Sequence, residues 1–152
     1  MDTRKTMDML NGLLETVEYC YMAIAKENDL TYNALMLLLM LDYYDNLTQK
    51  QVCDALFLPK SSVHSMLSDL IKREYLELMA GGNKKEKYIV PTAAGEALVK
   101  KVVLETKQME NGTLKSLSEA EITAFMETAK KLTAQMKEEA ENLYKGGKAV
   151  GD

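Results

Sequence analysis

Hydrophobic residues recur at helical spacing along most of the chain. Apolar positions three or four residues apart predict four helices, which cover residues 7–26, 31–44, 93–109 and 118–143. The second helix carries the run Ala34–Leu41 and is apolar nearly all round, so we expect it to be buried from several sides. That run is far shorter than the ~20 residues that span a bilayer, so no membrane segment is expected.

Two shorter helices are predicted between the second and third long ones. Thr48–Gln51 fits a capping box, in which a hydroxyl and a glutamine side chain each satisfy a free backbone amide. The helix that begins there should end near Leu56. Pro59 suits the first position of the next helix, which the apolar spacing extends to about Tyr75.

A β-hairpin follows these two helices. The strands Leu76–Met79 and Lys87–Val90 flank the turn signal Gly81-Gly82-Asn83, and Thr92 then caps the third long helix. The predicted fold is therefore mostly α with a small β-hairpin wing. One domain, 1–152, comprises a winged helix-turn-helix core at 31–92, helical dimerisation regions at 7–29 and 93–144, and a flexible Gly-rich tail at 145–152.

The terminal helices favour a homodimer. The pair Asn111-Gly112 should open a loop, after which a second capping box at Ser118–Glu121 begins the last helix. This helix has an apolar stripe that includes Phe125, Leu132 and Met136. A small winged-helix core cannot cover this stripe and that of the first helix. Pairing two chains would bury both stripes. If such a two-fold dimer binds DNA, its binding site should be pseudo-palindromic.

Charge is distributed unevenly along the chain. The net charge of −4 argues against nucleic-acid binding, but residues 48–92 contain seven basic and five acidic residues. The second short helix would lie in the major groove of double-stranded DNA, and the wing would reach a neighbouring phosphate or the minor groove. The residues expected to contact DNA are Lys60, Ser61, Ser62, His64, Ser65, Lys84, Lys85 and Lys87.

The ordered set of these motifs resembles the MarR family of transcriptional regulators. The residues that carry the resemblance are Leu30-Thr31-Tyr32, Leu47–Gln51, Leu56, Lys60–Val63, Leu67, Leu70, Lys72-Arg73 and Thr92–Gly95. The resemblance implies a DNA-binding regulator in the cytoplasm. It would act as an effector-responsive, homodimeric repressor on a pseudo-palindromic operator.

Several positions depart from the family's usual pattern. The family often has arginines where this chain has Ser65 and Asp69, and an Asp-x-Arg motif in the wing where it has Asn83 and Lys85. Lysine holds a phosphate but lacks the planar fork that reads guanine, so sequence preference should be modest. Glu74 replaces the usual glycine after the recognition helix.

Tyrosines and a cysteine are the candidates for effector sensing. Similar proteins bind phenolic or amphipathic ligands, and Tyr19, Tyr21, Tyr43 and Tyr44, with Tyr32 and Met22, either line such a pocket or form an aromatic core and dimer interface. Cys20 occupies about the place of the reactive cysteine in oxidant-sensing relatives. No cation is adjacent in sequence, so we expect a small buried hydrophobe.

Other functions have less support. The chain has no Gly-rich phosphate loop and no His-Glu-x-x-His or Gly-x-Ser-x-Gly motif, so no enzyme is expected. One histidine and two scattered cysteines favour neither a metal site nor a cofactor. A protein-interaction module remains an alternative, because the acidic balance and missing arginines suit it. A PadR-like regulator is another, although the long first helix argues against it.

Overall fold

The computed structural model describes residues 2–81 and 86–145 of the 152-residue chain. Within these residues it contains six helices and one hairpin: α1 (Thr3–Glu27), α2 (Tyr32–Met40), α3 (Gln49–Leu56), α4 (Lys60–Lys72), β1 (Leu76–Ala80), β2 (Lys87–Pro91), α5 (Ala93–Leu114) and α6 (Glu119–Lys145). This mostly helical architecture with a hairpin wing confirms the predicted fold class. The predicted flexible tail lies outside the described residues, apart from Lys145.

The chain divides into two compact units, Met1–Gln108 and Met109–Asp152. The core of the first unit is built around α2, whose Leu35, Leu37 and Leu38 have no solvent-exposed surface. The prediction of burial from several sides is therefore confirmed. Side chains from α3, α4, both strands and α5 complete this core, among them Val52, Val63, Leu67, Leu70, Leu76, Ile89, Val99 and Val102.

The wing is fixed to the start of α3. β1 and β2 pair antiparallel, with Leu76 opposite Pro91 at one end and Ala80 opposite Lys87 at the other. Ile89 donates its backbone N–H to the carbonyl oxygen of Leu47 at 2.7 Å, and Thr48 forms a bridge with Tyr88. The base of the wing therefore holds a defined position beside the first turn of the helix-turn-helix.

Both predicted capping boxes are present. The Thr48 hydroxyl accepts a hydrogen bond from the Gln51 N–H, while the Gln51 side chain accepts one from the Thr48 N–H at 2.8 Å. At α6, Ser118 and Glu121 make the equivalent pair. The hydrogen bonds from the Ser118 backbone N–H and hydroxyl hold the pKa of Glu121 below its ordinary value. This carboxylate therefore stays charged at the positive end of the helix dipole.

Three helices end in a left-handed residue that is not glycine. Asp29 after α1, Phe57 after α3 and Glu74 after α4 have φ values of 54°, 53° and 61°. Each is followed by a residue whose N–H donates to the carbonyl oxygen five residues earlier, a hydrogen bond of the Schellman type. The following residues, Leu30, Leu58 and Tyr75, pack against the core. That packing holds the preceding residues in a conformation they do not favour.

The left-handed Glu74 explains one wrong boundary. We expected α4 to continue to about Tyr75, whereas it ends at Lys72 with Arg73 as its C-cap. The usual glycine is missing, yet the chain turns at the position where glycine would stand, because Tyr75 is drawn back onto the core and bonds to Leu70. Pro59 is the N-cap of α4 and not its first helical residue.

Two other boundaries differ from expectation. The Asn111-Gly112 pair, predicted to open a loop, lies inside α5, which continues to Leu114. Asparagine and glycine cost only about 0.5–1 kcal/mol in a helix interior, which the flanking helix formers offset. α2 ends at Met40 and not at residue 44 as predicted, and α1 begins earlier than expected because Asp2 caps it.

The second unit is dominated by α6. Between Glu119 and Tyr144 no side chain is buried, and the apolar side chains Phe125, Met126, Leu132 and Met136 are exposed. A helix with an apolar stripe normally lays that stripe against another element.

Candidate nucleic-acid interface

Helix α4 has one buried face and one exposed polar face. Val63, Leu67 and Leu70 are buried in the core. Because these residues repeat at helical spacing, the positions between them point outward. All five residues of α4 that were expected to contact DNA are exposed: Lys60, Ser61, Ser62, His64 and Ser65.

The wing contributes one described lysine. Lys87 is exposed at the start of β2. Next to Lys87, the two sides of the hairpin are joined by a hydrogen bond from the Gly81 N–H to the carbonyl oxygen of Glu86 at 2.8 Å. Lys84 and Lys85, the other two expected contacts, lie outside the described residues.

Three lysines from different elements meet in one cleft, which we call the basic cleft. It encloses about 730 Å³ between α3, the start of α4 and the start of β2. Gln49 links the two helix starts by donating from Nε2 to the carbonyl oxygen of Lys60 at 3.2 Å. The lining residues are Thr48, Gln49, Lys50, Cys53, Lys60, Glu86 and Lys87.

The sequence analysis did not single out Lys50 or Gln49 as interface residues. The available signal was weak: Lys50 is one of the seven basic residues in the relatively basic segment 48–92. The proximity of Lys50 to Lys87 depends on the bridge between Thr48 and Tyr88, and no local sequence pattern predicts that bridge.

A second cleft lies on the other side of α4. Ser62, Ser65 and Asp69 border it together with Asp29 and Thr31 from the connection between α1 and α2. Asp69 stands where the family often has an arginine. Its carboxylate lies 3.6 Å from the Arg73 guanidinium, so this position makes an ion pair within the protein.

A third cleft of about 640 Å³ contains two tyrosines, and we call it the tyrosine cleft. Tyr19, Met22, Lys26 and Tyr32 are among its lining residues. Burial, and then the negative charge of Glu18, raise the pKa of Tyr32, so its phenol remains a neutral hydrogen-bond donor.

The structure brings only one of the four tyrosines chosen as ligand contacts into this cleft. Tyr21 packs against the core, and Tyr43 and Tyr44 are exposed at the end of α2 and outside the tyrosine cleft. Tyr32 joins Tyr19 there because α2 begins directly after the turn that follows α1.

Cys20 does not match its expected environment. It is exposed on α1, so the prediction of a buried hydrophobe is wrong for the single chain. The neighbouring apolar residues Leu13, Leu14 and Val17 of α1 are also exposed. Cys53 packs against the core at the edge of the basic cleft.

The described residues contain neither a candidate metal site nor a candidate membrane span. No group of histidine, cysteine and carboxylate side chains in 2–81 and 86–145 is placed to hold a metal ion. Over the same ranges, no helix has both the length and the hydrophobicity for a membrane crossing.

Sequence comparison identifies a family for the centre of the chain. Residues 28–85 match the sequence model of the MarR family. This segment runs from the C-cap of α1 through the helix-turn-helix into the wing. Among curated proteins, none matches the chain significantly.

Solved structures share the fold over nearly the whole chain. The MepR–DNA complex of Staphylococcus aureus is 20% identical, with a TM-score of 0.73 over 84% of this chain and 94% of its own. A putative MarR family regulator of Listeria monocytogenes, bound to a 26mer DNA, is 20% identical, with a TM-score of 0.68 over 96% of both chains. Staphylococcus aureus MarR, in complex with salicylate and kanamycin, is 12% identical, with a TM-score of 0.73 over 90% and 93%. The resemblance to the MarR family is thereby confirmed over residues 28–85, and the chain has the fold of MarR-family transcription regulators.

Proposed function

We propose that this protein is a sequence-specific DNA-binding transcription regulator that acts as a homodimer and represses by occupying a pseudo-palindromic operator. The observation that carries the proposal is the position of Lys60. It belongs both to the exposed polar face of α4 and to the basic cleft beside the wing. A recognition helix in the major groove would therefore bring the basic cleft to the adjacent phosphates.

The lysines of the basic cleft are available to an anion. Among the described residues, Lys50, Lys60 and Lys87 form no ion pair with a carboxylate, whereas Lys101 and Lys107 do. Lysine ammonium groups hold phosphates without reading bases. The cleft therefore supplies affinity, and the serines and His64 on α4 supply the base contacts.

The unpartnered apolar side chains support the dimer. Those of α6, and Leu13, Leu14 and Val17 of α1, are exposed in the single chain. A second copy of the chain offers the same surfaces, and a two-fold interface pairs equal surfaces with each other. Two recognition helices related in this way read an inverted repeat. The DNA complexes of the Staphylococcus and Listeria relatives lend further support.

A salt titration tests DNA binding and the division of labour within the interface. Replacing Lys87 with alanine should weaken binding to operator and random duplexes alike. It should also reduce the slope of log affinity against log salt by about 0.9 for each lost phosphate contact, or about twice that in a dimer. Replacing Ser65 with alanine should instead change the ranking of duplexes, because each base mismatch is worth about 1–3 kcal/mol.

Lys100→Ala on α5 is the charge-matched control and should preserve both affinity and slope. The operator for these measurements comes from binding-site selection with the purified parent protein. A parent that binds no duplex at low salt would refute the proposal and favour the alternative of a protein-interaction module.

We also propose that the tyrosine cleft takes an aromatic effector. Its two phenol rings offer stacking surfaces, and the Lys26 ammonium offers a partner for a carboxylate. The salicylate complex of Staphylococcus aureus MarR makes salicylate the natural probe.

Replacing Tyr19 with alanine should weaken salicylate binding about fivefold, because one aromatic contact is worth roughly 0.5–1.5 kcal/mol. Isothermal titration calorimetry measures the change. Tyr43→Ala is the matched control, since the Tyr19 and Tyr43 side chains are equally exposed, at 69% and 72%, but only Tyr19 lines the cleft. Equal salicylate affinity in the two variants would count against this cleft.

A further inference from the structure

Arg73 connects the end of the recognition helix to the turn between α1 and α2. Its Nη1 donates to the backbone carbonyl oxygen of Asp29 at 2.9 Å, and its Nη2 lies 3.3 Å from the Asp29 carboxylate. The two residues are 44 positions apart in sequence. This contact joins two elements that are otherwise linked through the core.

The Arg73 side chain is oriented by its own helix end. The Asp69 carboxylate lies 3.6 Å from Nη1, one helical turn back, and the guanidinium carbon stands 5.2 Å from the centre of the Tyr75 ring. The side chain is only 28% exposed. Its positive charge is therefore engaged inside the protein, in contrast to the lysines of the basic cleft.

The turn that Arg73 reaches is braced on its far side. Leu30 packs on the core and donates its N–H to the carbonyl oxygen of Ala25. Asn28, which is 9% exposed, donates to the Glu105 carboxylate at 2.7 Å and accepts from the Lys101 ammonium at 2.7 Å, both on α5. The turn is therefore held by contacts that do not involve α4.

The recognition helix itself needs such an anchor at this end. Its last residues lead into Glu74, whose left-handed backbone conformation an ordinary residue does not favour. The contacts of Arg73 lie directly beside this strained residue. They hold the last turn of α4 in place while its first turn remains open to DNA.

We propose that Arg73 is a positioning residue for DNA recognition: it sets the angle of α4 by fastening its C-terminal end to the turn at Asp29, without contacting DNA. The proposal rests on the proposed function. It assigns Asp69 the role of orienting this contact, at a position where the family often has an arginine. Base contacts at the start of α4 then depend on a side chain at its other end.

Loss of the contact has a signature that loss of a phosphate contact does not have. In Arg73→Ala, operator affinity should fall about fivefold, because a helix left free to tilt places its base contacts less accurately. The salt slope should stay at the parent value, since no phosphate contact is lost. Random-duplex affinity should change much less than operator affinity.

Graded variants separate positioning from a general loss of stability. Arg73→Lys should recover part of the operator affinity, because an ammonium group reaches the Asp29 carbonyl oxygen but cannot also hold the carboxylate and face Tyr75. Asp29→Asn keeps the backbone acceptor and tolerates the left-handed conformation, so it should cost least. Lys100→Ala again controls for the removed charge.

Hydrogen exchange of the free protein tests the contact without DNA. In Arg73→Ala the amides from Asp69 to Tyr75 should exchange faster, while those of α3 keep the parent rates. A parent that binds no duplex would refute the proposed function, and these exchange rates would still decide whether Arg73 fixes the helix end. The inference is wrong if exchange at 69–75 is unchanged, if operator affinity is unchanged, or if the salt slope falls as it does in Lys87→Ala.

Discussion

The double substitution Phe125→Asp and Leu132→Asp should convert the protein into a monomer at micromolar concentration. Both side chains are exposed on α6 in the single chain, so the first unit should keep its fold. Carboxylates at these positions would lose water when two chains pair, and an unpaired buried charge costs several kcal/mol. We expect the dissociation constant of the dimer to rise at least ~100-fold. Light scattering with size-exclusion chromatography measures it.

Lys131→Asp supplies the matched control. It adds negative charge to the same helix on the side away from the apolar stripe, and should leave the dimer intact. Because each operator half-site should bind one recognition helix, the double variant should also lose most of its affinity for the full operator while keeping weak binding to a half-site. A double variant that remains dimeric would show that another surface joins the chains.

Replacing Gly95 with alanine should destabilise the first unit by at least ~3 kcal/mol. A methyl group at this position would overlap the carbonyl oxygen of Tyr75 and press against Pro91. That carbonyl cannot move aside freely, because it accepts the Thr92 N–H at 3.0 Å and its residue packs on the core. Urea unfolding followed by circular dichroism measures the loss.

Gly112→Ala in the same helix is the comparison. A methyl group there meets no atom within 4 Å, so the substitution should be neutral or stabilise by up to ~1 kcal/mol. A Gly95→Ala variant as stable as the parent would show that the start of α5 can shift away from the wing without cost.

Local signals in the sequence were enough to predict the order of elements and the starts of α3 and α6. The capping boxes at Thr48 and Ser118 depend on hydrogen bonds between residues three positions apart, which the sequence displays directly. Helix ends were harder to predict. Phe57 and Glu74 turn left-handed because the residues that follow them pack on the core, and that packing involves side chains distant in sequence.

The candidate site also has parts that local sequence predicts and parts that depend on contacts between distant residues. The outward face of α4 follows from the spacing of Val63, Leu67 and Leu70, so periodicity was sufficient. The basic cleft needs the wing to dock on α3, which places Lys50 beside Lys87, and no spacing predicts that docking. Cys20 was wrongly expected to be buried because the sequence pattern marks apolar stripes without saying which ones the same chain covers.

The three left-handed helix ends have a consequence for how such a protein can evolve. Glycine at the position of Asp29, Phe57 or Glu74 would relieve strain worth about 0.5–1 kcal/mol at each site. Mutations in a recognition helix often destabilise the fold. A protein that gains a new operator specificity through such mutations must still remain folded. Each of these helix ends is a position where one compensating substitution should restore thermostability without altering the exposed polar face of α4.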